Sequence, residues 1–298
     1  MKVIFIAMLL IGSFEIVSGQ SSIRSYDIDS VSSYVRFGVR YKSDYFYMGR
    51  ADSAKAPYLT SSIGYYHKSG LFVSGSLSYL TADDNNRVDL YTLAAGYDYL
   101  GDKFIVGIAI DEYFFSDESY SVQAEMRTYL SGYLGYDFRT FMILTDASLG
   151  LSSNTDFFVG IELSRMFYTM RNRLIITPSV YTNFGTQQYY NEYYTQRSTT
   201  TGSGKDRKGH GPGSGSGNGG TGSTTIMNVE ILESEKFQVL DYELGLQASY
   251  KLNRLRFSAS AIVLFPVNPS TVVTDQATYE EDLDTGFLWT LGARYVLK

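Results

Sequence analysis

The end of the chain alternates between large apolar and polar side chains. Phe287, Trp289 and Leu291 share one parity, whereas Thr290 and Arg294 share the other. Because side chains alternate across a β-strand, this pattern predicts a strand with one apolar face and one hydrated, cationic face. Similar segments recur along the chain, and lipid outside with a polar lumen inside would impose that alternation on every strand.

The alternation predicts about twelve strands. They are Val35 to Tyr41, Leu59 to Tyr65, Leu71 to Tyr79, Leu93 to Tyr99, Phe104 to Ile110, Ala124 to Tyr136, Phe141 to Leu151, Phe157 to Leu163, Leu174 to Phe184, Leu240 to Tyr250, Leu255 to Phe265 and Phe287 to Leu297. Tight turns and longer polar loops alternate between them, and in outer-membrane barrels the short turns face the periplasm. We therefore predict an all-β fold, a transmembrane antiparallel up-and-down β-barrel of about 12 strands with both termini on the periplasmic side.

Two positions depart from the pattern. Arg165 has the parity of the lipid face, and Pro178 removes a backbone donor from its strand. Arg165 would be tolerated near the periplasmic interface and Pro178 at a β-bulge. A slip of the predicted register is the alternative explanation.

The N-terminus has the pattern of an export signal. A short apolar run from Val3 to Ile11 precedes the small residues Ser18 and Gly19. That run is too short for the ~30 Å hydrocarbon core of a membrane, so we expect a signal peptide at residues 1–19, cleaved near Gly19. Residues 20–298 would then form one barrel in the bacterial outer membrane, without a disulfide because the chain has no cysteine.

Composition limits the partners. The chain has 31 acidic and 25 basic residues, and this net charge of −6 argues against nucleic acid as a partner. Its 27 tyrosines and 18 phenylalanines suit the aromatic girdles of a membrane barrel. We expect outer-membrane lipid and lipopolysaccharide, the barrel-assembly machinery and small polar solutes as partners, and no cofactor.

One segment is unlike the rest. Thr199 to Ser223 consists almost entirely of Gly, Ser and Thr with a few charges, which predicts a long Gly/Ser-rich extracellular loop over residues 186–236. Four tyrosines precede it, namely Tyr189, Tyr190, Tyr193 and Tyr194. They would serve either as a girdle or loop-packing cluster, or as an aromatic contact for a sugar or partner protein.

Histidine is too scarce for the chemistry of a catalytic barrel. His67 falls in a predicted turn and His210 in the Gly/Ser-rich loop, so neither has a rigid orienting partner. With two histidines and no cysteine, no zinc site is expected. The sequence predicts that the protein is not an enzyme.

The candidate functional residues are the charged side chains with the parity of the lumen. They are Arg36, Arg40, Asp98, Asp111, Glu125, Arg127, Asp146, Glu162, Asp241, Glu243, Arg254, Arg256 and Arg294. Such charges can pair across the lumen and plug it, or line a narrow aqueous path that orients a small solute. Strand order predicts that the arginines at 36, 40, 254, 256 and 294 form one cationic wall, because the last strand must close against the first. The acids at 111, 125, 146 and 162 would come from the opposite arc.

Several short segments in the first third of the chain carry a resemblance. They are Ser43-Asp44-Tyr45, Met48-Gly49-Arg50, Ala56-Pro57, Gly64 to Gly75 and Val88 to Tyr91. This stretch resembles the opening of the TorF-like porin family of bacterial outer membranes, although the Gly/Ser-rich segment departs from it. The resemblance implies a barrel and a pore, with no catalytic residues to assign.

These observations favour an outer-membrane porin-like channel for the passive diffusion of small hydrophilic solutes through a charged lumen. The alternative is a closed structural or adhesive barrel that acts through its extracellular loops. A soluble β-sandwich is disfavoured, because strands of about ten residues suit a membrane better.

Overall fold

The computed structural model describes residues 32–51, 55–82, 86–116, 119, 121, 126–152, 154–190, 229–274 and 277–298. Some of the sequence predictions lie outside these ranges. They concern the signal peptide, Glu125, Tyr193, Tyr194, His210 and the Gly/Ser-rich segment Thr199 to Ser223.

Within the described residues the chain forms sixteen β-strands. They are β1 (Tyr34–Lys42), β2 (Tyr58–Tyr66), β3 (Leu71–Leu80), β4 (Arg87–Leu100), β5 (Phe104–Phe115), β6 (Thr128–Asp137), β7 (Met142–Leu151), β8 (Thr155–Ser164), β9 (Phe167–Thr169), β10 (Leu174–Gly185), β11 (Val229–Leu232), β12 (Gln238–Leu252), β13 (Leu255–Pro266), β14 (Thr271–Thr274), β15 (Thr278–Glu280) and β16 (Gly286–Leu297). In the described part of the chain, no helix combines the length and the apolar character needed to cross a membrane.

Twelve long strands close into an antiparallel barrel. Each of β1 to β7 pairs with the next strand along the chain, β8 pairs with β10, and the order then continues through β12, β13 and β16. The pairing of β16 with β1 closes the barrel. The predicted twelve-stranded transmembrane barrel is thus confirmed, with one long strand at each predicted position. Three strands differ in extent, because β4 begins at Arg87 rather than Leu93, β5 ends at Phe115 rather than Ile110, and β6 begins at Thr128 rather than Ala124.

The two faces of the barrel have the predicted polarity. Outward side chains such as Ile63, Leu93 and Ile108 are 53–60% exposed and form an apolar belt. Inward side chains such as Asp111 and Tyr129 are fully buried. Because a single closed sheet has no second layer to pack against, the buried core of this protein lies in its lumen.

The connections show the predicted asymmetry, with short turns at one end of the barrel and longer loops at the other. Short turns at 67–70, 101–103, 138–141, 170–173 and 253–254 lie at one end, together with the start of β1 and the end of β16. We name this the turn end, and the opposite end the loop end. The loop end carries the longer connections 43–57, 81–86, 116–127, 186–237 and 267–285, and one short exception at 152–154.

Pro178 does not lie in a bulge, contrary to the prediction, and the register around it is continuous. Ser179 pairs with Ser164 of β8, and Ile176 pairs with Phe167 of β9, so Arg165 stands opposite Pro178. The Arg165 amide donates to the Pro178 carbonyl at 3.2 Å, but proline has no N–H to return the bond. The missing donor therefore accounts for the break between β8 and β9. Arg165 is exposed beside Phe167, with its guanidinium carbon 4.8 Å from the ring centroid.

Two β-bulges lie near the loop end. Ser78 pairs with Leu90 and Tyr79 with Val88, which leaves Asp89 as an extra residue in β4. A bulge of this kind turns two successive residues towards the same face, and Asp89 and Leu90 are both buried. The second bulge is at Leu240 in β12, where Leu240 and Asp241 are both buried.

A small sheet covers part of the loop end. β11 pairs with β14, and β14 pairs with β15. Ile231 and Val272 from this sheet are buried in the cluster of side chains at the loop end of the lumen. β11 belongs to the connection 186–236, so that connection is not a uniform Gly/Ser-rich loop.

Candidate functional site: the charged lumen

The predicted cationic wall forms from four arginines on three neighbouring strands. Arg256 of β13 and Arg294 of β16 are direct cross-strand partners. On its other side Arg294 pairs with Gly38 of β1, so Arg36 and Arg40 flank it diagonally. Arg36 and Arg256 are buried, and Arg40 and Arg294 are half-buried. The closure of the last strand against the first is what brings them together.

Arg254 does not belong to this wall, which corrects the prediction. It lies in the turn 253–254 between β12 and β13 and is exposed. A tight turn at the end of the barrel places its side chain beyond the lumen, whatever its parity. Arg127 directly precedes β6 at the loop end and is also exposed.

Arg36 is held by aromatic side chains. Its guanidinium donates to the Tyr66 hydroxyl and lies 4.2 Å from the centroid of that ring. Tyr66 stacks on Tyr34 at 5.0 Å and on Phe72 at 5.8 Å between centroids. These rings line the turn-end half of the lumen and fix the arginine against the wall.

The predicted acids that the structure describes are all buried in the lumen. They are Asp98 of β4, Asp111 of β5, Asp146 of β7, Glu162 of β8, and Asp241 and Glu243 of β12. β6 lies six strands from β16 in either direction, and Asp111 and Asp146 lie on the strands beside β6. The acids at 111, 146 and 162 thus come from the arc opposite the cationic wall. The β12 pair instead lies beside β13.

Two of these carboxylates are fixed by a tyrosine that crosses a glycine. Asp98 pairs with Gly107 of β5, which in turn pairs with Tyr133 of β6. The Tyr133 hydroxyl donates to Asp98 at 2.9 Å. A Cβ on Gly107 would lie 2.2 Å from the Tyr133 ring, so the glycine makes the crossing possible.

A related arrangement occurs on β7, β8 and β10, where the tyrosine is diagonal to the glycine, because Gly160 pairs with Asn183 and Tyr181 with Glu162. Asp146 of β7 pairs with Gly160 of β8, and the Tyr181 hydroxyl of β10 donates to both oxygens of Asp146 at 2.8 and 3.0 Å. A Cβ on Gly160 would lie 1.9 Å from that hydroxyl oxygen. We name the two arrangements the Asp-Gly-Tyr bridges. Residue parity predicted the acids but not the bridges, since a bridge depends on the register of three strands.

The β12 acids share a donor. The Asn183 amide donates to Asp241 at 2.6 Å and to Glu243 at 3.3 Å. Asp241 also lies against Gly49, where an added Cβ would be 2.9 Å from the Asp241 Cβ. Gly49 has a φ of 76°, which favours glycine for a second reason.

The described part of the connection between β1 and β2, residues 43–51 and 55–57, folds into the lumen at the loop end, and we name it the inner loop. Tyr47 is fully buried there, with its ring centroid 4.9 Å from that of Tyr189 and 5.7 Å from that of Phe158. The Tyr129 hydroxyl donates to the Tyr47 hydroxyl at 3.2 Å. Burial raises the pKa of Tyr47 well above its usual value, so this phenol stays neutral. The inner loop narrows the mouth of the lumen.

Arg50 fastens the inner loop to the barrel. Its side chain is almost fully buried and forms an ion pair with Glu281, at 3.5 Å between Nε and the carboxylate oxygen. It also donates to four backbone carbonyls, those of Met48 at 3.1 Å, Leu240 at 2.9 Å, Val267 at 3.2 Å and Asn268 at 3.0 Å. Sequence reasoning missed Arg50 as a structural residue because a loop has no parity to mark the side chain as inward.

Two of the four tyrosines before the Gly/Ser-rich segment can be assigned to packing. Tyr189 and Tyr190 are buried in the loop-end cluster around Tyr47. The Asp156 carboxylate of β8 accepts from the Tyr189 amide at 2.7 Å and from the Gln188 amide at 2.8 Å, which holds this segment in place. Tyr189 and Tyr190 therefore belong to a loop-packing cluster, one of the two roles predicted for these tyrosines.

Histidine and acidic side chains were the candidates for catalysis and metal binding, and the structure describes one of the two histidines, His67. His67 lies in the turn 67–70, as predicted, with Nδ1 2.8 Å from the Ser69 hydroxyl. Among the described residues, no group of three or more His, Asp and Glu side chains could hold a metal ion.

Two cavities lie along the lumen wall formed by β1 to β4. Their volumes are about 20 and 40 Å³. A buried water needs roughly 10–15 Å³, so the cavities hold one and a few water molecules. Both cavities are therefore small.

Comparison with known proteins adds little beyond the architecture. No family model matches the sequence, and no curated protein matches it. The chain is similar to the solved structure of the KdgM porin, at 8% identity over 87% of this chain and 98% of that chain, with a TM-score of 0.44. It is similar to the NanC porin, at 10% identity over 88% and 98% with a TM-score of 0.45, and to an outer membrane channel from Pseudomonas putida F1, at 9% identity over 89% and 96% with a TM-score of 0.41.

Proposed function

We propose that the protein is a porin-like channel of the bacterial outer membrane that passes small hydrophilic solutes through its charged lumen. The supporting observation is the arrangement of charge around the barrel. Four arginines on β13, β16 and β1 face acids on β5, β7 and β8 across the lumen. Charges of opposite sign on opposite walls set up a transverse field that orients a polar solute in a narrow path.

The apolar outer belt and the resemblance of the first third to the TorF-like porins support the same proposal. A belt of large exposed side chains needs lipid around it. The segments that carry the resemblance include Tyr45 and Met48-Gly49-Arg50, which belong to the inner loop. The inner loop would therefore be a feature of the pore rather than an addition to it.

A second candidate is a closed barrel with a structural or adhesive role. The inner loop favours it, because Tyr47 and Arg50 are buried and firmly held at the mouth. Under this alternative the loops act on partners outside the cell, and nothing passes the lumen.

Conductance of the purified protein in a planar lipid bilayer separates the two candidates. We expect small, discrete current steps from the natural protein, and larger or more frequent steps from Arg50→Gln, which loses the ion pair that fastens the inner loop. Lys236→Gln is a matched control, because it removes an exposed ion pair, that of Lys236 with Glu233, in place of the buried one. If the natural protein and Arg50→Gln both assemble and neither conducts, the closed barrel replaces the channel.

A further inference from the structure

The hairpin of β9 and β10 is the most exposed part of the turn end. β7 begins at Met142, which pairs with Ser164 of β8, so among the described residues β9 pairs with β10 alone. All three residues of β9 are exposed, and so are the four residues of the turn 170–173 that follows it. We name residues 165–173 the basic hairpin.

The basic hairpin carries three exposed arginines, Arg165, Arg171 and Arg173. In the part of the chain that the structure describes, no carboxylate forms an ion pair with any of the three. The Arg165 guanidinium instead lies against the ring of Phe167, which has the parity of the lipid face. Three positive charges therefore stand at the edge of the apolar belt without an acidic partner among the described residues.

The other turns at this end have charges of the same sign. Each adds one exposed cation, and these are Lys68, Lys103, Arg139 and Arg254. The five turns contain a single acid, Asp102, and the nearby Asp137 accepts from the Arg139 amide at 2.6 Å. The small sheet at the loop end and the residues beside it carry exposed acids instead, namely Glu230, Glu233, Glu235, Glu280, Asp282 and Asp284. The turn end is therefore the face that attracts an anion.

Exposed aromatic rings lie beside these cations. Phe138 and Phe141 flank Arg139 in the turn 138–141, with their ring centroids 4.8 Å apart. Continuing the register of β7 with β8 brings Phe141 level with Arg165. Aromatic side chains at the edge of an apolar belt lie at the depth of the lipid headgroups. The arginines of the basic hairpin are therefore at the depth where a membrane places its phosphates.

We propose that the basic hairpin binds the headgroup phosphate of an anionic phospholipid in the leaflet at the turn end. Guanidinium groups form charge-assisted, bidentate hydrogen bonds to phosphate oxygens, and Phe167 packs against the upper part of the acyl chains. The ligand is a lipid rather than a free phosphate because Arg165 has the parity of the lipid face and lies on a ring of the apolar belt. This role accounts for an arginine on the lipid face, and it is independent of conduction through the lumen.

Native mass spectrometry of the folded, full-length protein in a non-ionic detergent measures the binding of single lipid molecules. We expect dioleoylphosphatidylglycerol to bind the natural protein more tightly than dioleoylphosphatidylcholine, which has the same acyl chains but no net charge. The double variant Arg165→Gln with Arg171→Gln should bind phosphatidylglycerol about tenfold more weakly, because it loses two cations next to an anionic headgroup. Arg165→Lys with Arg171→Lys keeps both charges and should retain most of the affinity. Heat-modifiable migration on gels verifies that each variant is folded.

The matched control is Arg127→Gln with Lys236→Gln, which removes two exposed cations from the loop end and should leave the affinity for phosphatidylglycerol unchanged. Equal loss of affinity in the control and in the hairpin variant would reduce the effect to net charge and overturn the site. Unchanged affinity in the hairpin variant, or no preference for phosphatidylglycerol in the natural protein, would overturn it as well. Displacement of the lipid by an equimolar amount of inorganic phosphate would identify a free phosphate as the ligand and also contradict the proposal.

Discussion

At the scale of single residues, Gly160 determines whether a tyrosine can reach a carboxylate across the lumen wall. Any side chain at this position would collide with the Tyr181 hydroxyl, which lies 1.9 Å from the position of a Cβ. We expect Gly160→Ala to displace Tyr181 and leave the buried Asp146 without this donor, at a cost of about 1–3 kcal/mol in the free energy of unfolding. Urea unfolding of the refolded protein measures the change.

Gly132→Ala is the control for this prediction. Nothing lies closer than 3.5 Å to a Cβ at Gly132, so alanine fits there without displacing a neighbour. We expect the free energy of unfolding to change by less than about 1 kcal/mol, because alanine loses less conformational freedom than glycine on folding. Equal destabilisation by the two alanines would show that the Asp-Gly-Tyr bridge contributes nothing.

Adjacent residues on one strand also face different solvents. Ala259 of β13 is exposed on the lipid face, whereas the Ser260 hydroxyl faces the lumen 2.5 Å from the Thr290 hydroxyl. Ala259→Arg should make the free energy of folding into the membrane less favourable by about 2–4 kcal/mol, the penalty for an arginine near the middle of the bilayer. Ser260→Arg should be much better tolerated, since its charge lies in the polar lumen. The two variants are compared by diluting each into lipid vesicles and measuring the folded fraction on unheated gels. Similar assembly of the two variants would contradict the membrane-facing assignment.

At the scale of structural elements, the inner loop behaves as a packed unit within the barrel. Its position depends on Tyr47, whose ring contacts Tyr189 and Phe158 inside the lumen. We expect Tyr47→Ala to reduce the free energy that holds the inner loop in the lumen by about 3–5 kcal/mol, as truncation of other buried aromatic residues does. The barrel itself should survive, because its strands do not depend on this ring. The measurable result is a larger single-channel conductance.

Tyr65→Ala provides the comparison, because Tyr65 lies on the lipid face of β2 and is 45% exposed. This variant loses the same side chain without any change in the lumen. Its single-channel conductance should equal that of the natural protein. A Tyr47→Ala variant that conducts no better than Tyr65→Ala would mean that the inner loop does not restrict the pore.

At the scale of the whole molecule, the closed sheet and its apolar belt determine that the protein folds in a membrane. A closed barrel has no unpaired edge, and its outer surface requires lipid. We expect the mature chain, starting near Gln20, to fractionate with the outer membrane and to migrate differently on gels before and after heating. Cell fractionation with N-terminal sequencing measures both properties. Recovery of a soluble periplasmic form would contradict this location.

The alternation of polar and apolar residues was enough to predict the barrel. A strand repeats every two residues, and lipid and lumen impose opposite requirements on its two faces, so the alternation identified twelve strands and the inward parity of Arg36, Arg40, Arg256 and Arg294. Strand order then predicted their common wall, because antiparallel neighbours along the chain pair in space and the last strand closes on the first.

The side chains and loops inside the barrel could be located only in the folded protein. The bulges at Asp89 and Leu240 each add one residue and so interrupt the parity rule. The inner loop and Arg50 have no periodic pattern, because a loop is positioned by side-chain contacts with distant strands. The Asp-Gly-Tyr bridges need the register of three strands at once. Each of these features depends on contacts between residues far apart in the chain, and a local pattern of polar and apolar residues carries no information about such contacts.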